Sequence, residues 1–276
     1  TWLYLKDSKE QYDVSMPLSV KGCFGILTLN QTPQSILEKV KNICEESFDE
    51  VIDDMNNSFR RFAKATGLPL KYLQWESKVV NFQELFREAE AAYGNEFIRE
   101  YNKELEILGQ RLKGNEISII HCNFELIEFI YGYIDDIKPR IVYGLIPPYY
   151  PNVSNLFIDD LDENVSSLCD NLIKFTQEEF NQNYNTEYFY TGISDLSYSS
   201  IEKSQEIYKA LEESMPLLGQ FYDVPVELIE KISMPCINIG PWGKDFHKMT
   251  ERVNKEDLYV RTPRIINKAI SLILGN

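Results

Sequence analysis

Histidine is scarce in this chain: of 276 residues only His121 and His247 carry an imidazole. The second stands in the run Ile237-Asn238-Ile239-Gly240-Pro241-Trp242-Gly243-Lys244-Asp245-Phe246-His247-Lys248-Met249-Thr250-Glu251-Arg252-Val253. Here an apolar segment of strand type, 236–239, ends in a Gly-Pro-x-Gly turn, and His247 follows. Open α/β sheets bind ligands beyond the carboxyl ends of their strands. Glycines at such a turn let backbone N–H groups come close to a bound molecule. A neutral imidazole held beside it is a good zinc ligand.

A second segment, Tyr190-Thr191-Gly192-Ile193-Ser194-Asp195-Leu196-Ser197-Tyr198, repeats the grammar of a strand running into a small polar loop. Its carboxylate, Asp195, can hold a metal-bound histidine or orient a loop; an Asp after Ser also serves as a plain turn or helix cap. His121, within Ile119-Ile120-His121-Cys122, reads as a structural histidine. Its neighbour Cys122 is no catalytic partner, because adjacent side chains point apart. His-Glu-x-x-His, a Gly-x-Ser-x-Gly elbow and a Gly-rich phosphate loop are all absent.

The elements that must position these residues are legible in part. Residues 18–31 read as a strand. Thr32-Pro33 reads as a helix cap with Pro in the first turn, opening an amphipathic helix of some thirty residues that Gly67 closes. Asn81 and Glu84 form a capping-box start to a second long helix with the stripe Phe86, Ala89, Tyr93, Phe97, Tyr101, Leu105, Leu108 and Leu112, interrupted at Gly94. Beyond Gly114-Asn115 shorter elements alternate. Helices are expected near 123–136, 162–180 and 201–213, and from Thr262-Pro263 onward; strands are expected at 140–146, 187–192 and 236–239. Such alternation argues an α/β class, with a division near residue 115.

Composition narrows the partners. The formal net charge of -15 repels phosphates and argues against nucleic acid. Residues 240–276 are the exception, with seven basic and four acidic side chains; that patch suits a small anion, or is a solvated helix face. Five dispersed cysteines without a Cys-x-x-Cys pair fit reduced thiols in a cytoplasm. No uncharged apolar window is long enough to span a membrane. The start, Thr1-Trp2-Leu3, is no signal peptide and lacks an initiator Met, so the chain is expected to belong to something longer.

Taken together, the Ile-Ser-Asp-Leu-Ser-Tyr loop at 193–198, the Pro-Pro-Tyr-Tyr-Pro run at 147–151 and the stretch from Gly240 to Val253 resemble the C-terminal part of peptidase family M-twenty, in its RocB-like, arginine-utilisation branch. That family comprises amidohydrolases with two zinc ions bridged by a water. The resemblance implies a zinc-peptidase-like α/β layered domain at 116–276 and an α+β lid domain with long helices at 1–115, through which relatives dimerise. It implies that His247 is a metal ligand, that Asp195 supports it, and that Gly240, Pro241 and Gly243 shape a substrate loop. The substrate would be a small amino-acid derivative. The family's other ligands sit in a His-x-Asp segment and a Glu-Glu pair. No His-x-Asp occurs here, and the Glu-Glu pairs at 45–46, 178–179 and 212–213 fall in amphipathic helices. One ligand cannot hold a dinuclear centre, so this chain alone is expected to be inactive. The alternative is a non-catalytic helical interaction module on an α/β scaffold.

Overall fold

A computed structural model describes residues 1–275 except Glu10, Tyr12, Asp13, Thr191 and Ile193, and gives the backbone alone at Asp195. It divides into two compact units, Thr1–Tyr150 with Lys203–Leu228, and Pro151–Glu202 with Ile229–Asn276.

The first unit opens with an antiparallel pair, β1 (Trp2–Asp7) and β2 (Val20–Phe24), in which Tyr4 faces Cys23 and Leu5 faces Gly22. Helix α1 (Pro33–Thr66) starts where the sequence expects it. Thr32 Oγ1 accepts the Ser35 N–H at 3.2 Å, Pro33 occupies the first turn, and Gly67 at φ +71° ends the helix in the left-handed conformation. Strand β3 (Val79–Asn81) leads into α2 (Phe82–Lys113), whose Asn81–Glu84 capping box is formed in both directions at 2.8 Å. Gly94 breaks α2 with φ +53° and ψ -131°, a conformation open in practice to glycine alone. Helix α3 (Ile119–Tyr131) then packs on α2, and β4 (Ile141–Tyr143) pairs in parallel with β3.

The core of this unit is the α2 stripe closed by α3. Leu85, Phe97, Leu108, Leu126 and Ile130 have no exposed surface, and burial of each such side chain contributes about 1.5–3 kcal/mol relative to leaving it in water. Tyr93, expected in the stripe, lies at the rim instead, where its hydroxyl donates to Asp135 at 2.7 Å. The first hairpin docks through Tyr4, whose ring meets His121 at 5.0 Å and Phe124 at 5.5 Å, and through Lys21 with Glu128 at 2.6 Å.

The second unit begins with α4 (Glu163–Ser166) and α5 (Leu168–Phe180). Helix α6 (Ser204–Ser214) belongs to the first unit, and α7 (Val226–Lys231) carries the chain back. There follow the short antiparallel pair β5 (Gly243–Lys244) and β6 (Arg252–Val253), a π-helical turn Asp257–Arg261, and α8 (Thr262–Leu274). Leu168 and Leu172 of α5 pack on Ile265 and Ala269 of α8, with Phe175, Tyr184 and Ile239 against them.

The chain thus mixes helix with strand, as the sequence implies, but helix dominates and the described sheets are three two-stranded pairs. The strand expected over 18–31 is confined to Val20–Phe24. Residues 236–239 and the described part of 187–192 pair with no strand. At Cys236 the reason is visible. The Asn155 side chain takes both backbone groups, donating to the Cys236 carbonyl at 2.8 Å and accepting its N–H at 3.0 Å, so a side-chain amide stands where a neighbouring strand would. By compactness α3 falls in the same unit as α2, whose core it completes.

Candidate functional site

The segment that carries His247 is a hairpin loop with a clamped stem. Gly243 pairs with Val253 and Lys244 with Arg252. Gly243 is required by that pairing, since a Cβ there would lie 2.8 Å from the Arg252 carbonyl oxygen. Gly240 and Pro241 lead in, and a Cβ at Gly240 would meet nothing within 4 Å. One step before the pair, Trp242 is fixed on both sides: its carbonyl accepts the Asn254 N–H at 2.8 Å, and its N–H donates to Asp257 Oδ2 at 3.2 Å.

Between the two short strands the loop is tied by its own side chains. Asp245 Oδ2 accepts from Arg252 Nη1 at 2.5 Å and from the Thr250 hydroxyl at 3.2 Å, while Arg252 also donates to the Thr250 carbonyl at 3.1 Å. The His247 N–H donates to Glu251 Oε2 at 3.2 Å. These bonds hold Asp245 at φ +59° and His247 at φ +62°. Left-handed backbone is uncommon outside glycine, and such residues concentrate where a side chain is presented for a purpose. The His247 side chain is exposed, with Phe246 edge-on at 5.7 Å.

The structure brings together the two segments singled out by sequence. The Phe246 ring lies 6.2 Å from that of Tyr190. A Cβ at Gly192 would sit 3.1 Å from Tyr190 and 3.2 Å from Phe246, so the small residue lets the aromatic pair close over it. The Ser194 hydroxyl donates to Asn238 Oδ1 at 3.4 Å and accepts the Leu196 N–H at 3.2 Å, opening the 3-10 turn Asp195–Tyr198. The side chain of Asp195 itself lies outside the described residues.

Asp257 is the residue beside this loop that sequence reading did not single out. It is 4 % exposed. Besides the Trp242 N–H, it accepts from Tyr184 Oη at 3.3 Å and from Arg261 Nη1 at 3.0 Å, and its own N–H is capped by Asn254 Oδ1 at 3.0 Å. Burial, and then the Asp257 charge, push the Tyr184 phenol above its ordinary value. A signal was available: Asp257, Arg261, Ile265 and Ala269 recur every four residues, which places an acid and a base on the face that otherwise buries apolar side chains.

His121 lies in the other unit and has a structural task there. Its Nδ1 sits 2.8 Å from the Ser118 hydroxyl at the start of α3, and its ring packs on Tyr4. The three Glu-Glu pairs lie on α1, α5 and α6, where Glu45, Glu178 and Glu213 meet lysines of their own helices at 3.9 Å and Glu179 pairs with Arg264.

Among the described residues no three His, Cys, Asp or Glu side chains converge as metal ligands. Around His247 the carboxylates already have partners: Asp245 holds Arg252, Glu251 holds the His247 backbone, and Asp257 holds Arg261. The described donor set does not fit a zinc centre on its own.

Comparison with known proteins supplies the relationship. YqjN of Bacillus subtilis, described as an uncharacterized protein, is 26 % identical over 273 residues, 99 % of this chain and 47 % of YqjN. RocB of the same organism is 24 % identical over 270 residues, 96 % of this chain and 46 % of RocB. The chain is similar to RocB along nearly its whole length. The resemblance read from the 193–198, 147–151 and 240–253 segments is thereby borne out. The chain spans just under half the length of either relative. No family model and no solved structure matches it. No helix among the described residues is long and apolar enough to cross a membrane.

Proposed function

We propose that this chain is one part of an amide- or peptide-bond hydrolase acting on a small amino-acid derivative, and that His247 is the ligand it offers to the enzyme's zinc. The observation that carries the reading is the loop. Sequence with RocB-like motifs folds into a hairpin that holds an exposed histidine in left-handed backbone and packs the preceding Phe246 against Tyr190. On this reading the remaining ligands of a two-zinc centre, and the general base, come from sequence outside the 276 residues, and the parent protein runs to about the length of its relatives.

Asp195 supports the ligand, and Gly240, Pro241 and Gly243 form the approach on which the substrate lies. The long helices and first hairpin within 1–115 act as a lid and as the surface for a second copy, and 116–276 completes the layered catalytic domain. The protein works in the cytoplasm, and the RocB-like resemblance points toward arginine catabolism. These last assignments rest on family analogy.

The test uses the longer protein that contains this sequence. Acyl-amino acids and dipeptides are offered before chelation, after chelation, and after zinc is returned. The proposal expects turnover of one class, lost on chelation and restored by zinc. Turnover that is indifferent to the chelator, or no hydrolysis of any such amide, contradicts it.

A further inference from the structure

We infer that Asp257 is a positioning residue: a buried carboxylate that sets the stem of the His247 loop through the Trp242 backbone. The reasoning starts from cost. A carboxylate removed from water loses several kcal/mol of hydration unless paired and fully hydrogen-bonded, and an apolar replacement of similar volume is often as stable. A charge kept at such a place is therefore poorly explained by stability and better explained by what it orients.

Asp257 orients a great deal for one side chain. Oδ2 takes the Trp242 N–H, and Oδ1 takes the Tyr184 hydroxyl and the Arg261 guanidinium. Asn254, three residues earlier, caps the Asp257 N–H with its side chain and donates its own N–H to the Trp242 carbonyl. Residues 254–257 therefore grip both backbone polar groups of Trp242. Pro241 before it has no N–H to contribute, and Gly243 after it is committed to β6. With only two residues in each strand, β5 and β6 form too short a ladder to hold a register alone. The clamp fixes the foot of the stem, below the bonds of Asp245 to Arg252 and of His247 to Glu251 that tie the loop above it.

Glu256 provides the comparison. It also pairs with Arg261, at 2.9 Å, but its side chain is 63 % exposed and bonds to no residue of the loop. Replacing Glu256 removes a charge beside Arg261 without touching Trp242. If the grip on Trp242 matters, only Asp257 counts. That the loop serves a metal site rests on the function proposed above; that Asp257 fixes the loop does not.

The experiment reads the loop without using activity. The chain is labelled with 5-fluorotryptophan, which reports on Trp2, Trp75 and Trp242, and the Trp242 fluorine resonance is assigned by its loss in Trp242→Phe. In Asp257→Leu, which keeps roughly the volume and removes both acceptor oxygens, the Trp242 resonance should shift by more than its line width while those of Trp2 and Trp75 stay in place. Glu256→Gln should leave all three unmoved. Should Asp257→Leu fail to fold, Asn254→Ala removes the side-chain cap on the Asp257 N–H, frees Asp257 to move, and should shift the same single resonance. An unmoved Trp242 resonance in a folded Asp257→Leu overturns the inference, as does an equal shift in Glu256→Gln. Neither result bears on whether His247 binds zinc.

Discussion

At the scale of single residues, the His247 loop separates positions whose chemistry is fixed by local geometry from those that are free. Gly243 faces the Arg252 carbonyl across the hairpin, so Gly243→Ala drives a methyl into backbone that cannot yield cheaply. Gly240 faces open space. Gly243→Ala should therefore lower stability by about 1–3 kcal/mol, measured by urea unfolding, whereas Gly240→Ala should stay close to the parent. Equal effects at the two glycines would contradict the hairpin geometry. How legible the site was in the sequence follows the same division. His247 stood out by residue type and spacing, and the tie between segments 190–198 and 237–253 came from the family resemblance. The apolar run 236–239 was not a strand, and at its first residue Asn155, some eighty residues away, takes both backbone groups of Cys236. Asp257 escaped because a charged residue on a buried helix face reads as surface until its partners are known.

At the scale of elements, local signals carried most of the information. Thr32-Pro33, Asn81-x-x-Glu84, Gly67 and the stripe of α2 specify their helices through bonds and faces that lie within the segment, and the structure repeats them. What the sequence could not specify was pairing between short strands, which no cap or stripe within the segment marks: Ile141 beside Val79, Gly243 beside Val253. Gly94 is the sharpest test at this scale. Nothing lies within 4 Å of the position of its missing Cβ, so Gly94→Ala has no clash, only a forbidden backbone. It should cost about 1–3 kcal/mol in thermal or urea unfolding. A neutral or stabilising result would mean that α2 runs straight through residue 94.

A second element-scale prediction concerns pH. Lys78 and Arg140 share Glu88 at 3.1 and 2.9 Å, and Arg140 is buried. Burial pushes the Glu88 carboxyl up, but the hydrogen bonds and charges of Arg140 and Lys78 outweigh it and hold the carboxyl below its usual range. A carboxyl lowered on folding stabilises above its unfolded value, and that stabilisation is lost as pH falls through the folded value. The parent should therefore lose stability on acidification with a contribution that Glu88→Gln abolishes, seen as a flatter dependence of the unfolding midpoint on acid pH. An unchanged slope would show that the cluster contributes nothing beyond its neighbours.

At the scale of the whole molecule, two compact units meet a relationship to RocB and YqjN that extends over nearly all of the chain but under half of either relative. Those proportions, with one exposed histidine on a braced loop and no convergent ligand set among the described residues, make the central claim specific: His247 completes a site to which other sequence contributes. The most direct measurement is zinc content and turnover of the longer protein beside its His247→Ala variant, with His121→Ala as the control from the other unit. The account predicts that His247→Ala loses bound zinc and with it turnover, as expected when a catalytic metal ligand is removed, with the zinc-free unfolding midpoints of variant and parent close together, while His121→Ala keeps both zinc and turnover. Normal zinc and full turnover in His247→Ala would contradict it.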